Sequence, residues 1–180
     1  MGDIRDRLKE ILINNSILKG EFKLASGKKS DYYIDARLTT LDPEGVNLIS
    51  RIFFEEIVKD AEIDCVGGPT MGADPIVGSL ISYSHETKRP LKGFLVRKEE
   101  KEHGTTKLIE GSLKSGDKVA VIEDVITTGG SVFKAIKAIE SAGGEVVKVL
   151  VVVNREESNK SLFKDKGYVL YSIFDVEELL

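Results

Sequence analysis

The chain has 180 residues, of which 41% are hydrophobic and 31% are charged. This length and apolar content predict one domain with a buried core, and they exclude collagen-like and disordered chains. The 26 basic and 30 acidic residues leave a formal net charge of −4, which disfavours a protein that binds mainly nucleic-acid phosphates. The single cysteine, Cys65, excludes an internal disulfide and indicates a reducing compartment.

No apolar run approaches the ~20 residues that a membrane-spanning helix needs. The unbroken apolar run near the end of the chain covers only residues 149–153. The first residues are charged and lack the apolar core of a signal peptide. We therefore expect a cytoplasmic protein with no membrane contact.

Helical and strand patterns alternate along the chain. Residues 3–15 have the apolar spacing of an amphipathic helix with Asp3 as its N-cap, and Asp42-Pro43 is typical of a second helix start. Strands are predicted at residues 22–24, 32–35, 64–67, 94–96, 118–123, 146–153 and 168–172, and further helices at 73–86 and 131–142. This order predicts an α/β fold with a parallel sheet flanked by helices, to which the first ~40 residues add a small accessory layer.

The most informative motif begins where the predicted strand 118–123 ends. Two carboxylates, Glu123 and Asp124, are followed by Thr127, Thr128 and a Gly-Gly-Ser run that opens a helix. Such a loop can direct successive backbone N–H groups at one phosphate, and the helix start adds partial positive charge. The carboxylates suit sugar hydroxyls or the hydration shell of Mg²⁺. The motif predicts a ribose phosphate site, and the alternative is a strand–turn–helix connection with a capping serine.

Other nucleotide-binding motifs are missing, since neither a P-loop nor a Gly-x-Gly-x-x-Gly follows a predicted strand. Residues 67–72, 123–131 and 154–155 each follow a predicted parallel strand. Ligands bind beyond the carboxyl ends of such strands, so we expect these segments to converge. Cys65 lies in a predicted buried strand and is expected to pack rather than react. No protein-held transition metal is expected, because no His, Cys and Asp cluster has ligand spacing.

Residues 123–131 resemble the phosphoribosyl-pyrophosphate (PRPP) signature of type I phosphoribosyltransferases. Over nearly the whole chain, the sequence is similar to the orotate phosphoribosyltransferase family. The similarity is carried by residues 22–27, 30–35, 67–75, 96–104, 123–131 and 154–156. It implies a single phosphoribosyltransferase domain at 1–180, in which residues of about 60–155 form the PRPP-binding core. Residues of about 1–40 and the C-terminal end would form a hood-like accessory layer. The implied reaction is Mg²⁺-dependent transfer of ribose 5-phosphate from PRPP to orotate.

The charged stretch 97–104 has two interpretations. It is either a solvated surface loop or a lid that brings cations to a pyrophosphate leaving group. The resemblance implies the lid, shared between the subunits of a homodimer, with Lys101, Glu123 and Asp124 as catalytic residues. The PRPP-binding residues that it implies are Arg97, Lys98, Lys101, His103, Glu123, Asp124, Val125, Ile126, Thr127, Thr128, Gly129, Gly130 and Ser131.

The resemblance also implies an orotate pocket made of Thr127, Arg155, Tyr33 and Ile34. Arg155 would bind the orotate carboxylate as a planar bidentate donor, and its alternative role is a surface ion pair.

The chain departs from the family at Met71-Gly72 and Ala25, where many members carry Tyr-Lys and Lys. Two cationic contacts to PRPP are therefore expected to be missing. Ile34 also replaces an aromatic residue. Two other functions remain open from the sequence: transfer to a purine base, and a PRPP-sensing regulator that binds nucleic acid.

Overall fold

The computed structural model describes residues 2–23, 29–59, 63–99 and 108–180. Within these residues, the central sheet has six strands in the order β5-β4-β3-β6-β7-β8. They are β3 (Cys65–Pro69), β4 (Lys92–Val96), β5 (Ile109–Gly111), β6 (Lys118–Ile126), β7 (Glu145–Asn154) and β8 (Val169–Asp175). The edge strand β5 is antiparallel to β4, and every other pair is parallel. The predicted α/β fold with a mainly parallel sheet is confirmed.

Helices cover both faces of this sheet. They are α1 (Gly2–Ser16), α2 (Arg37–Thr40), α3 (Pro43–Lys59), α4 (Asp74–Glu86), α5 (Gly130–Ser141), α6 (Ser158–Asp165) and a final 3-10 turn (Val176–Glu178). Successive side chains of β6 enter two different cores, because side chains alternate across a strand. Ala120 and Ile122 pack with α1, α3 and α4, whereas Val119 and Val121 pack with α5 and α6.

The N-terminal hairpin pairs β1 (Ile17–Lys23) with β2 (Lys29–Ile34) in antiparallel register. β1 begins at Ile17, before the predicted range 22–24, and β2 begins at Lys29, before the predicted range 32–35. Residue 24 lies outside the described residues. Several of the additional residues, such as Lys19, Glu21 and Lys29, are polar and exposed, so the apolar pattern did not continue through them. Ile34 is only 6% exposed and fixes β2 against the larger core.

Of the two predicted N-cap residues, the structure confirms Asp42 and not Asp3. The Asp42 carboxylate accepts the Gly45 backbone N–H at 2.8 Å, so Asp42 caps α3 as predicted. Asp3 is not an N-cap, because α1 already begins at Gly2 and Asp3 lies in its first turn. There its charge complements the helix dipole.

Strand β6 is longer than the predicted range 118–123. Glu123 and Asp124 do not end the strand, since β6 continues to Ile126. The ladder with β7 persists at Val125–Val153 and Ile126–Asn154. Backbone pairing with a long buried neighbour therefore outweighs the low strand propensity of two adjacent acids.

Candidate active site

The acid pair is held by hydrogen bonds at the carboxyl end of β6. Glu123 is 5% exposed and Asp124 is half-buried. The Asp124 carboxylate accepts the Val125 N–H at 2.7 Å, and Glu123 accepts the Asp124 N–H at 3.2 Å. The second Glu123 oxygen accepts the Ser131 hydroxyl at 3.0 Å. These bonds fix both carboxyl groups before any ligand arrives.

Burial raises the pKa of Glu123 to about 8, and the negative charge of Asp124 raises it in the same direction. The hydrogen bond from Ser131 opposes this shift. The surroundings of Glu123 therefore favour its protonated form over its carboxylate. Two adjacent acids with different surroundings can thus take different roles at one site.

The loop after β6 is shaped to receive an anion. Gly129 has φ +75°, and a Cβ there would lie 3.0 Å from the rings of Phe133 and Phe163. Only glycine fits this left-handed, crowded position. The 12-residue helix α5 then begins at Gly130, with its first N–H groups at the loop. Thr128, Gly130 and Ser131 are exposed, so a phosphate can reach this helix start.

The capping-serine alternative is wrong. Gly129 occupies the N-cap of α5, and no side chain caps that helix. Ser131 lies inside the first turn, and its hydroxyl donates to Glu123. Ser131 therefore connects the predicted phosphate loop to the acid pair.

A buried asparagine that the sequence analysis missed supports the same loop. Asn159 of α6 is 1% exposed. Its side-chain amide donates to the Thr127 carbonyl at 2.8 Å and to the Asn154 side-chain oxygen at 2.8 Å. No local motif marks Asn159, because its partners lie 32 and 5 residues away in the chain.

The segment after β3 packs directly on the acid pair. A Cβ on Gly68 would overlap the Ile122 carbonyl oxygen, and a Cβ on Gly72 would lie 2.7 Å from Glu123 Oε1 and closer still to Asp124 Oδ1. Residue 72 therefore has no room for a side chain while the acids keep these positions. Glycine therefore suits residue 72 in this arrangement of the acid pair.

The segments 67–72, 123–131 and 154–155 converge, as predicted: Gly72 packs on the acid pair, and Arg155 lies beside the end of β6. Its backbone N–H donates to the Ile126 carbonyl at 2.9 Å. Its guanidinium carbon lies 5.0 Å from the centre of the Tyr32 ring. Among the residues that the structure describes, no carboxylate lies within ion-pair distance of Arg155. The alternative role as a surface ion pair therefore gains no support.

The structure separates the two residues that the sequence analysis paired in the orotate pocket. Ile34 is buried in the core, whereas Tyr33 is 36% exposed and its ring lies 5.7 Å from that of Phe22. Neighbouring strand residues point to opposite faces. Tyr32 shares the face of Ile34 and contacts Arg155. The sequence could not distinguish Tyr32 from Tyr33 because the register of the hairpin decides which one turns inward.

A backbone hydrogen bond joins the residues on either side of the predicted lid. The Arg97 N–H donates to the Leu108 carbonyl at 2.8 Å, which brings the two ends of the intervening segment together. Within the described part of the chain, Arg97 and Lys98 line a cavity of about 1170 Å³ that Pro69 and Ser131 also line. Two predicted cations thus border the same cavity as Ser131, the one described residue of the loop 123–131 in its lining. Lys101 and His103 lie outside the described residues.

A further cation, Arg37, was not identified from the sequence and interacts electrostatically with Asp124. The Asp35 carboxylate accepts hydrogen bonds from Arg37 at 2.8 and 3.0 Å. These bonds raise the pKa of Arg37, and the charge of Asp124 adds to the shift.

In the described part of the chain, the acid pair is the candidate for contact with a metal ion. Over residues 2–23, 29–59, 63–99 and 108–180, no three His, Cys, Asp or Glu side chains group as metal ligands. Two carboxyl groups suit Mg²⁺ only when substrate phosphates and water supply its other ligands. Cys65 is fully buried, and burial raises the pKa of its thiol to about 12, so its predicted packing role is confirmed.

Comparison with known proteins agrees with this geometry. Residues 40–176 match the family model described as "Phosphoribosyl transferase domain". The chain is 44% identical to the orotate phosphoribosyltransferase of Aquifex aeolicus, covering 98% of this chain and 97% of that protein. It is 43% identical to the orotate phosphoribosyltransferase of Pyrococcus abyssi, covering 98% and 95% respectively.

A solved structure shares the whole architecture. The orotate phosphoribosyltransferase of Mycobacterium tuberculosis H37Rv, in complex with PRPP, matches with a TM-score of 0.81 and 35% identity over 98% of both chains. No described helix of the present chain is long and apolar enough to cross a membrane. The shared domain, the near-complete coverage and the assembled acid–glycine loop place this chain in the phosphoribosyltransferase family, among the orotate phosphoribosyltransferases.

Proposed function

We propose that the orotate phosphoribosyltransferase activity of this chain is carried out at the cleft between the acid pair and the start of α5, with Mg²⁺ bound through PRPP and water. Ribose 5-phosphate passes from PRPP to N1 of orotate, giving orotidine 5′-monophosphate and pyrophosphate. The observation that carries this proposal is the Ser131–Glu123 hydrogen bond. It connects the start of α5, where the phosphate would bind, to the acid pair that would bind the sugar.

The 5′-phosphate is assigned to residues 128–131. The backbone N–H groups there have no partner inside α5 and meet the positive end of its dipole. Phosphate binding would draw the Ser131 hydroxyl from Glu123 toward a stronger, charged acceptor. The Thr127 and Thr128 hydroxyls and the backbone of Val125 and Ile126 complete the proposed PRPP contacts.

Glu123 and Asp124 are assigned to the ribose hydroxyls. A protonated Glu123 can donate one hydrogen bond as well as accept one, while Asp124 accepts. Positive charge develops at the anomeric carbon as pyrophosphate leaves, as it does in glycoside cleavage. The nearby Asp124 carboxylate stabilises that charge because it is already oriented by the Val125 N–H.

The leaving pyrophosphate requires positive charge and backbone donors. Arg97 and Lys98 line the cavity that Pro69 and Ser131 also line, and Gly72 packs against Glu123 and Asp124. By resemblance, Lys101 and His103 add to these, with Lys101 as the catalytic lysine. Mg²⁺ supplies further neutralisation of the diphosphate oxygens when it is bound. We expect Lys101→Ala to reduce kcat far more than it weakens orotate binding.

Orotate is assigned to the side of the cleft that Arg155 borders. Its planar carboxylate matches the paired donors of a guanidinium. Thr127 lies on the same loop. Tyr33 and Ile34 are the contacts implied by resemblance, although Ile34 is buried in the core and Tyr33 lies on the face of β2 opposite to Tyr32. The acidic ring nitrogen of orotate binds as an anion, so this chemistry needs no dedicated base.

We also propose a cytoplasmic homodimer whose lids are shared between subunits, on the basis of family resemblance. Mixing Lys101→Ala with Asp124→Asn tests this arrangement. If the lid acts on the neighbouring site, hybrid dimers combine one intact lid with one intact acid pair, and activity returns. If activity stays absent after subunit exchange, the shared lid is refuted.

The test of the activity itself is spectrophotometric. Protein, Mg²⁺, PRPP and orotate are mixed, and the ultraviolet absorbance of orotate is followed as it is consumed. Uracil, hypoxanthine and adenine serve as alternative bases. We expect turnover with orotate alone, since only orotate carries a carboxylate for Arg155. Turnover with a purine in place of orotate would overturn the proposal.

A further inference from the structure

The N-terminal hairpin presents one tyrosine to the proposed base pocket from a fixed position. Tyr32 pairs with Lys19 across the hairpin, and Ile34 two residues later is buried in the core. Residues two apart on a strand share a face. The buried Ile34 therefore sets the direction in which the Tyr32 ring points, toward the carboxyl end of β7.

Arg155 is fixed from the other side. Its N–H is bound to Ile126, and the preceding residue, Asn154, is held by hydrogen bonds to Asp175 and Asn159 at 3.2 and 2.8 Å. Its guanidinium carbon lies 5.0 Å from the Tyr32 ring centre, within the ~6 Å range of a cation–π contact. The backbone end and the charged end of Arg155 are thus both anchored.

The contact of Arg155 with Tyr32 is a ring contact, and within the described residues no side-chain hydrogen bond occupies the guanidinium N–H groups. A guanidinium that lies over an aromatic ring uses its face, whereas the hydrogen bonds to a carboxylate leave from its edge. The Tyr32 contact therefore orders the side chain without competing for its N–H groups. An ordered arginine loses less conformational entropy when it binds a ligand.

We infer that Tyr32 is a positioning residue that holds Arg155 ready for the carboxylate of the pyrimidine, and so contributes to selection of carboxylated bases. The inference rests on the proposed function. It gives the hairpin a role in substrate selection, through a residue on the face opposite to Tyr33.

The test compares Tyr32→Phe, Tyr32→Leu and Arg155→Ala with the double variant Tyr32→Leu/Arg155→Ala. Phenylalanine keeps the aromatic face, whereas leucine keeps apolar volume without it. From the usual strength of a cation–π contact, we expect Tyr32→Leu to raise the KM for orotate about fivefold to tenfold, and Tyr32→Phe to stay within about twofold of wild type. The KM for PRPP and kcat should be unchanged in both.

A purely structural role for Tyr32 would give a different result. If the ring acts through Arg155, Tyr32→Leu causes no further loss in the Arg155→Ala background, and the preference for orotate over uracil in binding falls. Additive losses in the double variant would overturn the inference, as would a rise in the KM for PRPP equal to that for orotate. An unchanged orotate KM in Tyr32→Leu would overturn it as well. Failure of the wild-type protein to convert orotate would instead overturn the proposed function.

Discussion

Replacing Gly72 with alanine tests the contact between the segment after β3 and the acid pair. The new Cβ would lie 2.7 Å from both Glu123 Oε1 and Asp124 Cγ, and closer to Asp124 Oδ1. These distances are well below van der Waals contact. Either the carboxyl groups or the segment must move, and Asp124 Oδ1 can move only by weakening its hydrogen bond from the Val125 N–H.

The magnitude follows from that hydrogen bond. A hydrogen bond to a charged group contributes about 1.5–3 kcal/mol, and ~1.4 kcal/mol corresponds to a factor of ten. We therefore expect Gly72→Ala to lower kcat/KM for PRPP by about tenfold to a hundredfold. The loss of stability should not exceed about 3 kcal/mol, which leaves a typical domain folded.

Gly78 is the matched control, since it lies in α4 and a Cβ there would meet nothing within 4 Å. Gly78→Ala should gain about 0.5–1 kcal/mol from helix propensity and leave the kinetics unchanged. Both variants are compared by steady-state kinetics and thermal denaturation. A wild-type kcat/KM for PRPP in folded Gly72→Ala would refute the reasoning, and so would an equal loss of activity in both variants.

Three further predictions concern buried groups. The pKa of Glu123 is raised from 4.5 to about 8, so the folded state binds this proton more tightly than the unfolded state does. The free energy of unfolding should therefore fall as the pH rises between these two values and level off above them. Glu123→Gln should abolish that fall in urea unfolding at pH values from 5 to 9, whereas parallel profiles for variant and wild type would contradict the pKa. Asn159→Ala should lower the free energy of unfolding in urea by about 1–3 kcal/mol, because it leaves the buried Asn154 oxygen and the Thr127 carbonyl without their donor. A change below about 0.5 kcal/mol would show that Asn159 does not stabilise the loop. The Cys65 thiol, buried with a pKa of about 12, should react with a thiol-specific chromophore only after unfolding, and fast reaction of the native protein would show that the strand is open.

Regular apolar spacing allowed prediction of the long elements. The Asp42-Pro43 start identified α3, whose buried side chains include Ile49, Phe53 and Ile57, and the apolar runs of β6 and β7 identified the centre of the sheet. These patterns work because burial favours apolar side chains wherever an element meets the core. The short helix α6 escaped prediction, since it has eight residues and buries only Asn159 and Phe163.

The parts of the site that depend on contacts distant in sequence could not be predicted. Glu123 and Asp124 were identified as functional, but the continuation of β6 past them depends on pairing with β7. The choice of Tyr32 over Tyr33 as the neighbour of Arg155 depends on the hairpin register. The need for glycine at residue 72 becomes evident only when the acid pair is placed against it.

The central claim is that one sugar phosphate is bound between the acid pair and the start of α5. A crystal structure of this protein with bound PRPP tests it most directly. We expect the 5′-phosphate at the backbone N–H groups of residues 128–131 and the ribose hydroxyls at Glu123 and Asp124. A phosphate bound elsewhere, with the ribose away from both acids, would contradict the account.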